Sequence, residues 1–312
     1  MYKVTTYEIS VIIPTRNRRD DLLDCLSALA DQTILPREII IVDDGDLGDK
    51  PLSKVQKRVP DSVSLQITES EGEPGTSTAR NTGAKAASCP IVLIVDDDTV
   101  LGPTYIERLQ RLYNKYDDDN LAGIGGFDDS LRSPGALEWL YDTVFFQPRT
   151  GWCVNKFGFH SWESTISTAA YADWLSGNNA SYKREVLLSY PFPHWSGGRE
   201  ALEDIGMGMQ LSQSGYYCMI DPNLPVRHCE SKDNETAFNF GVKRARNRVR
   251  IFRHFGKSAP ILLFVWALIG DIIRQFLAPA YDGMVKRHWT IGTGMIIGAV
   301  DQLIRGDQNS RL

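Results

Sequence analysis

The sequence predicts an α/β protein with an open, doubly wound, mostly parallel sheet and helices on both of its faces. Short apolar runs alternate with segments of helical periodicity over about the first 130 residues. Several of these runs stop at acidic residues, as in the segment IVLIVDDDTVL at residues 91–101. Such alternation is typical of parallel strands joined by crossover helices, and sheets of this kind bind ligands beyond the carboxyl ends of their strands.

Periodicity and punctuation define the individual elements. The first helix, predicted at residues 18–32, places Leu22, Leu26 and Leu29 on one face. Residues 134–200 show no regular pattern and receive no assignment. The predicted strands are 9–14, 38–45, 63–68, 91–95, 122–127 and 216–221, and the other predicted helices lie within 71–88, at 103–116 and at 200–215.

Composition excludes several classes of protein. The chain has 312 residues, of which 42% are hydrophobic, so it can bury a sizeable core. Its net charge of −5 argues against a general nucleic-acid binder. The five cysteines form no CxxC pair, which argues against a zinc site or a disulfide framework and favours a reduced, cytosolic setting. The N-terminal apolar stretch is too short for a signal peptide, so we expect no export.

Three consecutive aspartates follow the apolar run at 91–95. Carboxylates at the rim of a core need a divalent cation, basic side chains or water to compensate their charge. In an extended segment Asp96 and Asp98 point to one side and Asp97 to the other. Two carboxylates on the same side, Asp96 and Asp98, suit a hard cation that takes oxygen ligands. An ordinary solvated turn explains the three aspartates equally well without a cation.

Polar clusters at 14–18, 43–46 and 96–98 each follow a predicted strand directly. Because parallel strands carry their carboxyl ends to the same edge of the sheet, we expect these three clusters to converge on one crevice.

The segments ISVIIPTRNR, EIIIVDDGD, ARNTGAKAA, IVLIVDDDTV, LSGNNASYKRE and ALEDIGMGMQL occur in the order and rough spacing found in the family 2 glycosyltransferases. The chain resembles this family over about its first 230 residues. The resemblance implies a GT-A fold, a nucleotide-sugar donor and transfer with inversion.

The resemblance also implies a donor half of the site. Asp43 and Asp44 are expected to face the base and ribose, although Asp-Asp-Gly alone is more typical of an ordinary turn. Asp96 and Asp98 match the family's DxD element, which holds Mn²⁺ or Mg²⁺ against the donor diphosphate, and His228 falls where many relatives keep a third ligand; a surface histidine explains that residue equally well. The other residues assigned to the nucleotide are Pro14, Thr15, Arg16, Asn17, Arg80 and Asp97.

The acceptor half is implied in the same way. Asp204 matches the general base that takes the proton of the acceptor hydroxyl, although acids at a helix start also simply complement the helix dipole. The residues assigned to the acceptor or the sugar are Glu203, Asn178, Asn179 and Trp195, of which Trp195 is equally typical of a core.

The C-terminal region differs from the rest. Residues 242–257 contain seven Lys or Arg and no acid, and apolar segments follow. Asp271 and Arg274 interrupt the first of these, so we expect amphipathic helices lying in one leaflet rather than a spanning helix. Alternatives are helices that cover the sheet and an arm that contacts phosphate. The predicted domains are therefore residues 1–235, catalytic, and residues 236–312, associated with the membrane.

Together these features predict a metal-dependent inverting glycosyltransferase, cytoplasmic and peripheral on the inner face of the cell membrane. Its donor would be a UDP-, GDP- or dTDP-sugar, and its acceptor a lipid-linked glycan or a polyprenyl phosphate. A sugar-phosphate nucleotidyltransferase is an alternative, but ISVIIPTRNRR lacks the glycine-rich first loop of that class. A non-catalytic scaffold is a second alternative, against which stand the intact Asp96, Asp98 and Asp204.

Overall fold

The structure is a computed structural model that describes residues 7–45, 47, 57–128, 136–163, 166–195, 201–229, 235–256, 258–277 and 284–305. Its strands are β1 (Ile9–Thr15), β2 (Glu38–Asp43), β3 (Ser64–Thr68), β4 (Ile91–Val95), β5 (Thr99–Leu101), β6 (Leu121–Asp128), β7 (Ala170–Ala172), β8 (Asn179–Lys183) and β9 (Tyr217–His228). Its helices are α1 (Arg19–Ala30), α2 (Thr76–Ala86), α3 (Tyr105–Tyr116), α4 (Ala136–Val144), α5 (Arg184–Ser189), α6 (Glu203–Gln213), α7 (Ala237–Phe255), α8 (Ile261–Leu277) and α9 (Val285–Arg305).

The strands form one sheet in the order β3-β2-β1-β4-β8-β6-β9-β5, with β7 paired to β9. The first four strands in this order are all parallel. Strand β8 runs antiparallel to both of its neighbours, β4 and β6, while β6 and β9 are again parallel. The predicted α/β class with helices on both faces is confirmed, and the crossovers bring the carboxyl ends of β1, β2 and β4 to one edge.

Each face of the sheet carries its own core. Helices α1 and α3 cover one face, with Leu26 and Tyr113 completely buried. Helices α2, α5 and α6 cover the other face. Helix α2 lies close to the sheet because Gly83 faces Ile12: a Cβ at Gly83 would lie 2.4 Å from the Ile12 side chain. The five residues of β4 are buried between the two layers, as its uninterrupted apolar run predicts.

Residues 134–200 contain regular elements that the sequence pattern did not show. The central strand β8, NASYK, is buried but has no apolar run, because hydrogen bonds satisfy its buried polar side chains. The Ser181 hydroxyl lies 3.0 Å from the Tyr113 hydroxyl and bonds to the Ile124 carbonyl. Strand β9 also continues past the predicted end at residue 221, as far as His228.

The three C-terminal helices pack on one another and on the rest of the chain. Phe252 of α7 stacks on Phe264 of α8 with ring centroids 4.0 Å apart, and Phe157 and Phe159 join the same core from outside the helices. Among the described residues, no helix is both long and apolar enough to cross a bilayer. The predicted division between residues 235 and 236 stays a prediction; α7 begins just beyond it, at Ala237.

The arginines of α7 make contacts within the protein. Their expected attraction to anionic lipid stays a prediction, because several of these side chains remain partly exposed. Arg248, which is 1% exposed, donates to the Gly158 carbonyl. The other inward contacts join Arg244 to Asp271, Arg246 to Asp301, Arg250 to the Trp195 carbonyl and Arg253 to the Leu303 carbonyl. An arginine inside a core needs such partners, and here neighbouring helices and loops supply them.

Candidate active site

Two arginines compensate the three strand-end aspartates. Arg18 Nη1 lies 3.2 Å from Asp97 Oδ1 and 3.1 Å from Asp98 Oδ2, and Arg80 Nη2 lies 3.2 Å from Asp96 Oδ1. Asp97 also accepts a hydrogen bond of 2.7 Å from the Thr15 hydroxyl. The predicted convergence of the polar clusters is therefore confirmed, because the loop after β1 contacts the loop after β4. Of the three compensators considered, basic side chains are the ones present in the protein itself.

The predicted alternation of the aspartates is wrong. Asp97 and Asp98 share Arg18, whereas Asp96 turns to Arg80. The reason is that β4 ends at Val95 and the chain turns immediately, with the Thr99 amide donating to the Asp96 carbonyl. Period-two alternation holds only in an extended strand. Burial raises the pKa of Asp97 to about 6, while the Thr15 hydrogen bond and the positive charge of Arg18 act in the opposite direction.

Arg80 is the central side chain of the crevice. It is 2% exposed, and its guanidinium donates to Glu203 Oε1 at 2.8 Å and to the Gly177 carbonyl at 3.0 Å, in addition to Asp96. The Phe192 ring lies 5.3 Å from its central carbon. We had assigned Arg80 to the nucleotide, but its position inside the protein, between two carboxylates, makes it a residue that positions other groups.

Glu203 and Asp204 open helix α6, and the structure gives them different roles. Glu203 is buried and paired with Arg80, so it is not available to an acceptor as we had assigned it. Asp204 is less buried, and its carboxylate accepts from the Ile205 amide at 2.8 Å. Burial, followed by the charge of Glu203, raises the pKa of Asp204 to about 7, while Arg80 acts in the opposite direction. Asp204 can therefore exchange a proton near neutral pH.

Asp98 and His228 lie together on the other side of the aspartate turn. Their Oδ1 and Nε2 atoms are 3.1 Å apart because β5 and the end of β9 pair at Thr99 and His228. A carboxylate with an imidazole suits Mn²⁺, and cations of this type take further oxygen ligands from substrate phosphates. Asp96, the third predicted ligand, is turned away to Arg80. Within the described parts of the chain, no three His, Cys, Asp or Glu side chains form a cluster that could hold a metal by themselves.

The predicted nucleotide loop lies beside this cluster. Asn17 has a left-handed backbone (φ 58°) and contacts Gly45, so the loops after β1 and β2 touch. Asp43, predicted to contact the nucleotide, instead uses its carboxylate oxygens to accept from the Gly45 and Leu47 amides. It forms the ordinary turn that was the alternative reading. Pro14 is half-buried and Arg16 is exposed in the same loop.

Asp44 is the better-placed acid of that pair. Its Oδ2 accepts from the Gly75 amide at 2.8 Å, just before helix α2. Its Oδ1 is buried and has no hydrogen-bond partner among the described residues. A buried carboxylate oxygen without a donor is costly, so this atom is suited to accept from a ligand hydroxyl or ring N–H.

The remaining predicted acceptor residues make contacts within the protein. Asn179 is 1% exposed, and its side chain accepts from the Gly126 amide and donates to Asn178. Asn178 is half-buried, and its carbonyl accepts from the Asp96 amide, so it helps to shape the aspartate turn. The Trp195 ring packs on Gly206 of α6, where a Cβ would lie 2.4 Å from it. We correct the assignment of Asn179 to the sugar, since its side chain is packed into the protein. Trp195 is half-buried, and its assignment stays a prediction.

Sequence reasoning missed two residues of the site. Arg18 compensates two aspartates, but the segment TRNRR offers three arginines and no pattern separates them. Gly177 lies against Arg80, because a Cβ there would be 2.5 Å from Arg80 Nη2. The glycine in LSGNN indicated a position with little space for a side chain. The sequence could not show that its neighbour is Arg80, which lies far away in the chain.

Comparison with known proteins agrees with this fold. The family model for glycosyl transferase family 2 matches residues 10–161. The glycosyltransferase YwdF of Bacillus subtilis is 33% identical over 104 residues, which cover 33% of this chain and only 37% of YwdF. The glycosyltransferase GlyG of Streptococcus pneumoniae is 29% identical over 248 residues, 78% of each chain.

Among solved structures, the mannosyltransferase PcManGT of Pyrobaculum calidifontis, in complex with GDP-Man and Mn²⁺, matches with a TM-score of 0.57 and 18% identity. The match covers 97% of this chain and 89% of PcManGT. The fold is therefore the GT-A fold. The chain is similar to the family 2 glycosyltransferases, and the family model matches it over residues 10–161.

The first prediction concerns Arg80. Replacing it by glutamine should lower the free energy of unfolding by about 3 kcal/mol, because the buried Glu203 and the half-buried Asp96 lose their common partner. Denaturant unfolding followed by circular dichroism measures the change. Arg37→Gln is the matched control, since Arg37 is 65% exposed and lies 4.0 Å from an equally exposed Glu8; we expect a change below about 0.5 kcal/mol there. Equal stability of the Arg80 variant and the wild type would contradict the central role of this guanidinium.

Proposed function

We propose that the protein is a metal-dependent inverting glycosyltransferase that moves a sugar from a nucleoside-diphosphate sugar to an acceptor hydroxyl. The observation that carries this proposal is the position of Asp204: a carboxyl with a raised pKa, beside the Arg80–Glu203 pair that connects it to the strand-end aspartates. One side of the crevice thus offers a base, and the other offers a place for a charged donor.

The donor is proposed to lie along the loops after β1, β2 and β4. Among the described residues the Oδ1 of Asp44 has no partner, so it is suited to the ribose or the base, and Asp98 with His228 would hold a divalent cation. Such a cation, Mn²⁺ or Mg²⁺, stabilises the charge that develops on the leaving diphosphate. PcManGT was solved with a nucleotide sugar and Mn²⁺, which supports this assignment. Arg18 pairs with Asp97 and Asp98, and these two ion pairs would rearrange when the donor diphosphate binds.

Asp204 is proposed as the general base. Its ionised carboxylate would take the proton of the acceptor hydroxyl while that oxygen attacks the anomeric carbon from the face opposite the diphosphate. Inversion follows from this single displacement. Glu203 cannot take over, because Arg80 holds its carboxylate in an ion pair of 2.8 Å. A base with a pKa near the operating pH gives efficient proton transfer.

The proposed acceptor is a hydroxyl on a lipid-linked glycan or a polyprenyl phosphate carrier, and the proposed location is the cytoplasmic face of the cell membrane. Support comes from the apolar residues exposed on the C-terminal helices. UDP-, GDP- and dTDP-sugars are the donor candidates. The match to the family 2 glycosyltransferase model favours glycosyl transfer over nucleotidyl transfer, and the ionisable Asp204 favours an enzyme over a scaffold.

The base assignment is tested by Asp204→Asn. We expect kcat to fall by about a thousandfold, because the amide cannot accept the proton, while the donor Kd changes by less than about twofold. Transfer is followed by release of nucleoside diphosphate, and donor binding by calorimetry. Asp20→Asn is the matched control: Asp20 also lies in the first turn of a helix but is exposed on α1. Wild-type turnover in the Asp204 variant would remove this residue from the mechanism.

The pH dependence gives an independent test. Because the pKa of Asp204 is raised to about 7, its carboxylate is protonated at lower pH and loses its function as a base. We therefore expect kcat/KM to rise about tenfold per pH unit below pH 7 and to level off above it. A profile that is flat between about pH 5 and pH 8 would show that no group of this pKa limits the reaction.

The cation and the donor are tested together by thermal denaturation in a panel of nucleoside diphosphates and nucleotide sugars, with and without Mn²⁺. The correct donor, at about a hundred times its Kd, should stabilise the fold by about 2.7 kcal/mol. Asp98→Asn should remove the part of this shift that requires Mn²⁺, whereas Asp61→Asn, at an exposed turn, should keep it. A donor shift that is the same without Mn²⁺ would contradict the metal dependence and leave the base assignment untouched.

A further inference from the structure

Three helices outside the candidate active site expose large apolar side chains. Helix α8 carries an outward stripe at the helical spacing of four, seven and four residues, and α4 and α9 add tryptophans beside it. We define the apolar face by six of these residues: Trp139 of α4, Leu262, Trp266, Ile273 and Leu277 of α8, and Trp289 of α9, whose exposed fractions range from 37% to 79%. A contiguous apolar surface on this scale is unusual for a protein that is surrounded only by water.

Direct contacts show that the three helices form one surface. The Trp266 indole N–H donates to the Val144 carbonyl at 2.8 Å, and its ring stacks on Phe145 at 5.0 Å, which joins α8 to the end of α4. The Phe276 ring of α8 lies 6.2 Å from the Trp289 ring in an edge-to-face contact, which joins α8 to α9. The apolar face is therefore continuous across the three helices.

Most acidic residues of the same helices pair with arginines inside the protein. Asp271 of α8 pairs with Arg244 of α7 at 2.9 Å, and Asp301 of α9 pairs with Arg246 at 2.6 Å. Asp142 of α4 is buried and pairs with Arg274. The described acids of these helices are thus turned toward arginines, with the half-buried Glu138 the remaining one. The apolar face consequently carries little exposed negative charge.

Positive charge surrounds the apolar face instead. Lys286 and Arg287 are exposed in the first turn of α9, one turn or less from Trp289. The Arg149 guanidinium lies 4.5 Å from the centre of the Trp139 ring. Tryptophan beside Lys and Arg is the composition found where proteins enter the headgroup region of a bilayer.

We propose that the apolar face docks into one leaflet of a bilayer containing anionic phospholipid. The three helices lie in the plane of the interface, the stripe of α8 enters the acyl region, and Lys286, Arg287 and Arg149 contact headgroup phosphates. The basic residues that contribute lie on α9 and beside α4. The proposed docking goes beyond the proposed reaction and does not depend on it, since binding to vesicles needs neither donor nor acceptor.

The test is co-sedimentation of the full chain with vesicles of phosphatidylcholine containing about 30% phosphatidylglycerol. The wild type should bind. The double variant Leu262→Glu, Ile273→Glu should bind at least about tenfold more weakly, because two apolar side chains that enter the acyl region become charged. Leu188→Glu is the matched control, since Leu188 is 44% exposed on α5 and should bind as the wild type does. Both positions are at the surface, so near-wild-type circular dichroism is expected for all variants.

The charge component is tested separately. Lys286→Gln, Arg287→Gln should weaken binding to the anionic vesicles and leave binding to pure phosphatidylcholine unchanged, and salt should have the same effect on the wild type. Two outcomes would overturn the proposal: equal sedimentation of the wild type and the Leu262, Ile273 variant, or a wild-type dimer in analytical ultracentrifugation that the same variant converts to monomers without any vesicle binding. The second outcome would assign the apolar face to another copy of the chain. Neither outcome would affect nucleotide binding or turnover on a soluble acceptor.

Discussion

The candidate active site depends on one buried guanidinium. Arg80 arises from helix α2, yet it joins Asp96 at the end of β4 to Glu203 at the start of α6 and fixes Gly177 between them. A carboxylate buried without a partner would lose its charge or destabilise the fold. Because one cation serves two acids from opposite ends of the crevice, the distance between the donor side and the base side is set by a single side chain.

This shared arginine also explains why two neighbouring acids differ. Glu203 makes the direct ion pair, and its charge then acts on Asp204 through a protein interior of low dielectric constant. Burial first, and then the charge of Glu203, raise the pKa of Asp204 to about 7. Neighbouring carboxyl groups in different environments are a common sign of divided roles in catalysis. Here the environment identifies Asp204, whereas its sequence position alone fits an ordinary helix start.

The sequence predicted what depends on local pattern and failed where partners are distant. Apolar runs located the strands from β1 to β4, and their order implied the convergence of Thr15, Asp44 and Asp97 at one edge. The pairing of Asp96 with Arg80 and of Asp98 with Arg18 requires knowledge of the turn at 96–98, which ends the alternation. Asn179 and Trp195 are residue types common in binding sites, but only the structure shows that Asn179 accepts from the Gly126 amide and that the Trp195 ring packs on Gly206.

In the C-terminal region, too, the contacts between distant residues could not be predicted from the local sequence pattern. A run rich in arginine indicates a surface, yet α7 lies inside a helical layer, and its arginines form ion pairs with α8 and α9. Buried ion pairs of this kind seldom stabilise a fold more than apolar residues of the same volume would. Stability alone therefore does not account for helices that turn their acids inward and their leucines and tryptophans outward. The proposed docking into a bilayer would account for it, because the exposed stripe of α8 would then be buried among acyl chains.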